Sequence, residues 1–459
     1  MSLNSNYYSV SRLDPELARA VGQMPPIDNR DVEKARQGIA MMQKFMPPVD
    51  SSGLDISDLQ IPSRQEGADH HIPIRIYKPV SADSPLPVML YFHWGGFMLG
   101  DLETEHARCV MISKFAEIVV VSVDYRLAPE HPFPAGVEDC YAALLWTVEH
   151  APELNIDPQR AAVGGTSAGG GLAAALSLMS RDRKGPAISF QFLGFPVTDD
   201  QMQTESVRHF TDTPNWTHEA TINMWAYYLG DPKPAEVSPY AAPLRADDLT
   251  NLPPAYIWTG EFDPLRDEGI QYALRLMSAN VPVELHNFAG TFHGFDQTPE
   301  AAIAQRSQRE QVAVIRAAFG ERRAADLGGK GATLSHTMIH VADVVQTADW
   351  YRRVFDLEIK FLAEDKQYAE LMTGGTTLAF SSEGLEEQKY GRFVANRKSD
   401  LPAGFHLAIQ VSNLAECYQS ALEEGAVQIN PPEPQPWGPS VARIRDLNGI
   451  LVAIGERQN

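Results

Sequence analysis

Gly164-Gly165-Thr166-Ser167-Ala168-Gly169-Gly170-Gly171 decides how the chain is read. The stretch from Gly165 to Gly169 follows the pattern G-x-S-x-G, and its flanks give the pattern meaning. Before it, Arg160-Ala161-Ala162-Val163 is a short apolar run suited to a buried strand. After it, Leu172-Ala173-Ala174-Ala175-Leu176-Ser177-Leu178-Met179 is rich in helix formers, with Leu172, Leu176 and Met179 at helical spacing. A strand turning sharply into a helix around a serine is a nucleophile elbow. The glycines leave room for the backbone, the serine oxygen stands clear, and the helix N-terminus favours negative charge beside it. A glycine-rich packing turn is the competing reading of the bare pattern, and the strand-turn-helix context favours the nucleophile.

An activated serine needs a base within hydrogen-bond reach, an acid to orient that base, and amides for the developing oxyanion. Behind this kind of elbow, acid and base follow in the order Ser, Asp/Glu, His. Asp263, in Thr259-Gly260-Glu261-Phe262-Asp263-Pro264-Leu265, sits in the loop after a predicted strand. His293, in Gly290-Thr291-Phe292-His293-Gly294-Phe295, follows the last predicted strand of the sheet. Both fall at strand ends on the elbow side, where open α/β sheets place their sites. The rival acids Asp267 and Glu261 are expected to cap or brace the same loop, and the rival base His286 falls within a strand. Upstream, His93-Trp94-Gly95-Gly96-Phe97 follows a strand. Gly95 and Gly96 offer unobstructed amides for an oxyanion hole, and Ala168 offers the amide after the nucleophile.

Around these motifs strands and helices alternate. Ile72-Pro73-Ile74-Arg75-Ile76-Tyr77 reads as a half-exposed first strand, while 88–92 and 118–123 are continuous apolar runs of a covered parallel sheet. The elbow strand, 188–195, 255–259 and 283–286 continue it, with helical stretches such as 136–149 between. The fold class is therefore α/β. Helical patterns at 15–21 and 31–40, the first capped by Asp14 ahead of Pro15, put cap helices in residues 1–50. A plain N-terminal extension is the alternative. Between 199 and 237 the rhythm breaks around Trp216, Trp225, Tyr227 and Tyr228. This region reads as a cap insertion lining a pocket, or as a helical crossover with a buried aromatic face. Trp94, Trp216 and Trp225 are the expected substrate contacts. The hydrolase domain is placed at 51–320, a charged, glycine-rich linker at 321–332, and a second domain at 333–459.

With 459 residues, 44% of them apolar and 21% charged, the chain suits a soluble protein of two or three domains. A formal net charge of -21 argues against nucleic-acid or anionic-membrane partners. The 3 cysteines, Cys109, Cys140 and Cys417, are widely spaced and odd in number, which fits a reducing compartment and shows no metal spacing. The start lacks the basic and apolar segments of a signal peptide, and no apolar stretch approaches membrane-spanning length. A cytoplasmic location is expected.

The second domain carries an internal repeat. His336-Thr337-Met338-Ile339-His340-Val341-Ala342-Asp343-Val344 aligns with His406-Leu407-Ala408-Ile409-Gln410-Val411-Ser412-Asn413-Leu414. Each copy leads into a helical stretch and returns through strand-like segments, ending at Leu378-Ala379-Phe380 and Val452-Ala453-Ile454.

Residues 10–320 resemble the hormone-sensitive-lipase family of esterases, bacterial family IV. The resemblance rests on the His93-to-Phe97 box, Asp124-Tyr125-Arg126-Leu127-Ala128-Pro129-Glu130, the Gly165-to-Gly169 elbow, Asp263-Pro264-Leu265-Arg266-Asp267-Glu268, and His293-Gly294-Phe295. It implies an α/β-hydrolase fold with a helical cap and hydrolysis of carboxylic esters, through an acyl-enzyme, without a cofactor. It also implies nucleophile Ser167, base His293, acid Asp263, and oxyanion amides at Gly95, Gly96 and Ala168. Trp94 departs from the pattern, standing where the family usually has the first glycine of its HGGG box. A tryptophan takes positive φ with difficulty, so the loop or the acyl pocket is expected to differ.

Residues 333–456 resemble the vicinal oxygen chelate superfamily, which includes glyoxalases and antibiotic-resistance proteins. The paired repeats carry this, with Gln435-Pro436-Trp437-Gly438 and Arg445-Asp446-Leu447-Asn448-Gly449-Ile450-Leu451-Val452. It implies an α+β domain of paired βαβββ repeats. Metal-binding members use a His from the first strand and a Glu from the last strand of each repeat. His336 and His406 occupy the histidine positions, but Ala379 and Ala453 fall where the glutamates would be, so no metal is expected. The combined expectation is a serine carboxylesterase acting on small soluble esters, short-chain or aromatic, and forming a homo-oligomer through its C-terminal domain. The alternatives are a ligand-binding receptor on a hydrolase scaffold and a bifunctional chain with a glyoxalase-type second enzyme.

Overall fold

Runs of β-branched and aromatic residues with no polar alternation become strands covered on both faces. The computed structural model describes residues 8–22, 29–44, 48–65, 69–80, 84–326, 336–373, 377–390, 394–401, 404, 406–411, 413–435 and 438–456, and Leu86–Phe92 and Val119–Val123 are such strands. Helices α1 (Pro15–Val21) and α2 (Val32–Gln43) precede strands β1 (Leu54–Pro62), β2 (His71–Pro79) and β3 (Leu86–Phe92). Helix α3 (His106–Ala116), β4 (Val119–Val123), α4 (Ala135–Glu149) and the single turn α5 (Ala151–Leu154) lead to β5 (Ile156–Thr166) and α6 (Ala168–Asp182). Strand β6 (Phe190–Gly194), α7 (Glu205–His209), α8 (His218–Leu229), β7 (Ala255–Phe262), α9 (Arg266–Ser278), β8 (Val283–Phe292) and α10 (Ala302–Asp326) complete the first unit.

These strands form an 8-stranded sheet in the order β1-β2-β4-β3-β5-β6-β7-β8. From β4 to β8 all neighbours run parallel, and β1 and β2 are antiparallel additions at one edge. Alternation along each strand divides the core. Val88, Leu90 and Phe92 of β3 join Val163 of β5 and Ile257 of β7 in one cluster with α4, α6 and α9. Met89, Tyr91, Ala162, Tyr256 and Trp258 point to the opposite cluster, with Cys109 and Ile112 of α3 and Ile315 and Phe319 of α10. Helix α6 is the most enclosed, with every residue from Ala168 to Ser180 buried, because it packs at the centre of the sheet behind β5.

The structure departs from the sequence reading in three places. Strand β1 precedes the expected first strand. Its apolar residues change face midway, Leu54 and Ile56 against Leu59 and Ile61, and only Ile61 is buried, so no clean period-two signal marks it. Helix α10 continues through Asp326, and the first unit ends at Leu327 rather than near residue 320. The charged segment 321–326 is made of good helix formers, and Gly328 is the first breaker. The N-terminal helices also divide: Leu17 of α1 lies in the α3–α10 cluster, while Val32, Ala35 and Ile39 of α2 lie in the other. Asn29 and Arg30, just before α2, bond to α8. Asn29 Nδ2 donates to the carbonyl of Ala220 (2.9 Å), and Tyr227 Oη donates to the carbonyl of Arg30 (3.0 Å).

The second unit spans residues 328–459. Its first repeat runs β9 (His336–Val341), α11 (Val344–Phe355), β10 (Ile359–Leu362), β11 (Tyr368–Leu371) and β12 (Thr377–Ser382), followed by α12 (Glu383–Tyr390). The second runs β13 (His406–Val411), α13 (Leu414–Glu423), β14 (Val427–Gln435), β15 (Gly438–Arg445) and β16 (Leu451–Glu456). Each repeat forms a 4-stranded sheet with its first and last strands paired in parallel, β9 with β12 and β13 with β16. This is the expected pair of βαβββ units. His336 pairs with Thr377 and Ala379 with Met338; His406 pairs with Leu451 and Ala453 with Ala408. Each alanine thus shares a face with its histidine, one pair further along. His406 is exposed, whereas the side chain of His336, Pro436, Trp437 and the 327–335 segment lie outside the described residues.

Candidate active site

The elbow is strained as its sequence demands. Ser167 has φ 59° and ψ -121°, a combination outside the ordinary range of L-residues, and three backbone bonds hold it there. Its amide donates to Gly194 (2.7 Å), and its carbonyl accepts from Gly171 (3.0 Å) and Val197 (3.2 Å). Gly169 permits the turn to pack against β3: a Cβ there would lie 1.9 Å from the carbonyl oxygen of Phe92. Helix α6 begins at Ala168, so its positive end faces the serine.

Strands β7 and β8 then bring the other expected residues to the same sheet edge. His293 Nε2 lies 3.0 Å from Ser167 Oγ, and His293 Nδ1 lies 2.9 Å from Asp263 Oδ2. The other Asp263 oxygen accepts from the Leu265 amide (2.8 Å), which fixes the carboxylate plane. All three side chains are buried. With Nδ1–H donated to Asp263, the neutral ring turns the Nε2 lone pair toward the serine. The rivals are occupied elsewhere. Glu261 pairs with Arg12 and accepts from Gly290, Asp267 accepts from the Ser206 amide, and His286 on β8 contacts Glu310.

The loop from His93 to Phe97 reaches this site with three residues in the left-handed range: Gly95 (φ 133°), Gly96 (φ 60°) and Phe97 (φ 62°). Trp94 is not among the residues of positive φ, so two glycines and a phenylalanine make the turn without strain at the tryptophan. The Gly95 carbonyl accepts from Met98 and Leu99, and Arg36 of α2 binds the Met98 carbonyl (2.9 Å). Beneath the loop, His93 stacks on Tyr125 (4.3 Å) and donates Nδ1–H to the Trp94 carbonyl. Burial pushes its pKa down to about 4. Among the described residues, the amides of Gly95, Gly96 and Ala168 meet no acceptor. They are free to receive one.

Residues 89–297 match the model of the alpha/beta hydrolase fold family. Esterase LipI of Mycobacterium tuberculosis is 39% identical over 299 residues, covering 64% of this chain and 91% of that protein. The chain belongs to the hormone-sensitive-lipase family of α/β-hydrolase esterases. An ethyl acetate hydrolase of Pseudomonas putida is 32% identical over 321 residues, covering 69% of this chain and 98% of its own. The solved structure of a bacterial heroin esterase superposes with a TM-score of 0.66 at 45% identity, covering 68% of this chain and 99% of that one. Residues 333–454 match the Glyoxalase/Bleomycin resistance protein/Dioxygenase superfamily. The protein is a serine carboxylesterase with a glyoxalase-like C-terminal domain.

Around the esterase site the three expected tryptophans separate. Trp216 Cη2 lies 2.9 Å from where a Gly96 Cβ would stand, and its ring is 5.8 Å from His293. Its Nε1 donates to Thr221 Oγ1 (3.0 Å), which holds the indole in place. Trp225 is buried on α8, and its ring contacts are Phe97 (6.1 Å) and Tyr228 (6.1 Å) rather than His293. Trp94 is half-buried against the same cluster. In the 199–237 segment, α8 buries Trp225 and Tyr228, and the loop before it sets Trp216 beside His293.

Three further contributors were not singled out in the sequence, although Glu268 closes the Asp263-to-Glu268 motif. Asn215 donates Nδ2 to the His293 carbonyl (2.9 Å), and Phe195 sets its ring 5.2 Å from His293. Glu268, wholly buried on α9, accepts from the amides of Thr198 (2.6 Å) and Asp199 (3.1 Å), and burial raises its pKa well above the ordinary glutamate value. Each acts through a partner distant in sequence, which no local pattern encodes. In the first unit and in the second, no helix among the described residues is long and apolar enough to cross a membrane.

Proposed function

We propose that Ser167 is the nucleophile, His293 the general base and Asp263 its orienting acid, with the amides of Gly95, Gly96 and Ala168 as the oxyanion hole. The observation that carries this is the unbroken relay of 3.0 Å and 2.9 Å contacts from Ser167 Oγ through His293 to Asp263. As Ser167 Oγ attacks the ester carbonyl, its proton passes to His293 Nε2. Asp263 stabilises the imidazolium without taking that proton. The carbonyl oxygen gains charge where three unbonded amides and the α6 N-terminus favour it. His293 then protonates the departing alkoxide, leaving an acyl-serine, and a water deprotonated by the same nitrogen hydrolyses it.

The preferred substrates are small soluble esters, short-chain or aromatic. Trp216 stands against both Gly96 and His293, which leaves little room beside the reacting carbonyl. One relative is named for ethyl acetate and another for heroin, both small molecules. The chain works in the cytoplasm, a reading supported by three free, buried cysteines. It assembles as a homo-oligomer through the C-terminal domain, where Phe361 and Leu362 on edge strand β10 and Val427 and Ile429 on edge strand β14 are exposed. The histidine pair there serves no metal, because the alanines beside it supply no donor.

The nucleophile assignment is tested with a fluorophosphonate. The label should appear on the peptide bearing Ser167, and Ser167→Ala should lose the label together with about 10⁴-fold or more of kcat. A label on another residue would refute the assignment.

A further inference from the structure

A buried polar network runs behind the site and joins its two halves. Thr166, the residue before the nucleophile, donates its hydroxyl to Glu105 Oε1 at the start of α3. Glu105 Oε2 accepts from Arg108 Nε (3.0 Å). The Arg108 guanidinium then reaches Asp296, with Nη1 3.2 Å from Oδ2 and Nη2 3.1 Å from Oδ1. Asp296 lies three residues after His293, and its Oδ2 also receives Trp258 Nε1 (3.1 Å) and Gln311 Nε2 (3.0 Å). Gln311, on α10, accepts at Oε1 from Arg108 Nη1 (2.8 Å). Every member is almost wholly buried: Thr166 3%, Glu105 3%, Arg108 7%, Asp296 0% and Gln311 0% exposed.

Stability alone explains such a cluster poorly. Taking two carboxylates and a guanidinium out of water costs about as much as their pairing returns, and well-packed apolar residues of the same volume often serve better. What the cluster does supply is geometry. The nucleophile leaves β5 and the base leaves β8, with β6 and β7 between them. The Ser167–His293 contact depends on the spacing of two loops on strands that do not touch. Arg108, a planar fork with fixed donor directions, is bound on one side to the elbow through Glu105 and Thr166, and on the other to the histidine loop through Asp296.

We infer that Arg108, with Glu105, Asp296 and Thr166, is a positioning device that sets the distance between nucleophile and base. None of the four touches substrate; they act through Ser167 and His293, and the inference rests on the triad assigned above. A lysine keeps the charge but cannot meet Glu105, Asp296 and Gln311 together. A valine at 166 keeps the shape and leaves a glutamate oxygen without its donor.

The experiment measures p-nitrophenyl acetate kinetics and the rate of fluorophosphonate labelling for folded variants. Arg108→Lys should lower kcat about 10- to 100-fold while KM stays within about threefold, since a displacement near 1 Å disturbs attack more than binding. Labelling of Ser167 should slow in parallel. Thr166→Val should lose about tenfold, and Thr166→Ser, which restores the hydroxyl, should return to within about threefold of the parent. The proposal is overturned if folded Arg108→Lys and Thr166→Val both keep kcat within about twofold, if the loss lies in KM, or if Thr166→Ser is no better than Thr166→Val. Should Arg108→Lys fail to fold, the two Thr166 variants decide alone. A parent protein that takes no label at Ser167 would overturn the triad assignment itself, a different failure from normally labelled variants.

Discussion

Asn215, in the cap insertion, donates its side-chain amide to the backbone carbonyl of His293 across 2.9 Å. The proposed base is therefore seated from two sides, by Asp263 at its ring and by the cap at its main chain. Asn215 itself holds φ 66°, so alanine would add backbone strain to the loss of the amide. Asn215→Gly separates the two effects. It should lower kcat about 5- to 10-fold with little change in KM, as expected when one hydrogen bond near 1 kcal/mol stops holding a catalytic loop. Steady-state kinetics on a short-chain ester checks it, and an unchanged kcat would remove Asn215 from the site.

Trp216 is expected to set chain length. Its indole is in contact range of Gly96 and is held by Thr221, so it cannot swing aside at no cost. Trp216→Ala should raise the ratio of kcat/KM for octanoate over acetate esters about tenfold or more, each added methylene in an apolar pocket being worth about 1 kcal/mol. A chain-length profile parallel to the parent's would place the acyl pocket elsewhere.

His93 predicts part of the acid limb of stability. Its folded pKa is about 4, below the 6.5 of a free imidazole, because burial penalises the charged ring. Its Nε2 also lacks any acceptor for a second proton. Below about pH 6.5 the unfolded chain binds a proton that the native ring refuses, so this residue's contribution falls as pH drops from there through 4. The full loss is roughly 3 kcal/mol, at 1.36 kcal/mol per unit. His93→Gln should be less stable than the parent at pH 7 but lose about 2 kcal/mol less between pH 7 and 4.5, measured by urea unfolding. Parallel losses in the two proteins would refute it.

Glu268 predicts the opposite sign. Burial raises its pKa, so the native state keeps a proton that the unfolded glutamate has already released. Stability then falls as pH rises from the ordinary glutamate range toward the folded value. Glu268→Gln keeps an acceptor for the Thr198 and Asp199 amides and carries no titrating proton. Its Tm relative to the parent should climb between pH 5 and pH 9. A constant difference across that range would show that Glu268 does not titrate on unfolding.

Much of the hydrolase was legible in the chain because each part of its chemistry is local. The elbow needs glycines beside the serine for the backbone to turn and pack, so Gly165 and Gly169 mark Ser167 without help from the fold. Asp263 and His293 stand at loops closing apolar strands, and the order of those strands makes them meet. The two βαβββ units announce themselves by repetition. Helix α10 ran past its expected end because a charged segment of good helix formers can be read as linker or helix, and only its continuity with the folded helix settles the choice. Strand β1 was hidden because an edge strand needs little burial and tolerates a change of face.

The tertiary structure alone decided which residues support the site. Arg108 and Asp296 are 188 positions apart, and Asn215 and His293 are 78. Neither pair leaves a period, a spacing or a composition that could be read in advance. The same holds for the tryptophans: Trp216 reaches His293, whereas Trp225, from the same aromatic-rich segment, is turned into the cap. The sequence by itself singled out the groups proposed to react, because their chemistry requires particular residues in particular local turns. Which distant side chains hold those groups at 3.0 Å is set by how α3, α10 and the cap pack on the sheet, where a buried polar atom binds whatever partner the packing brings to it.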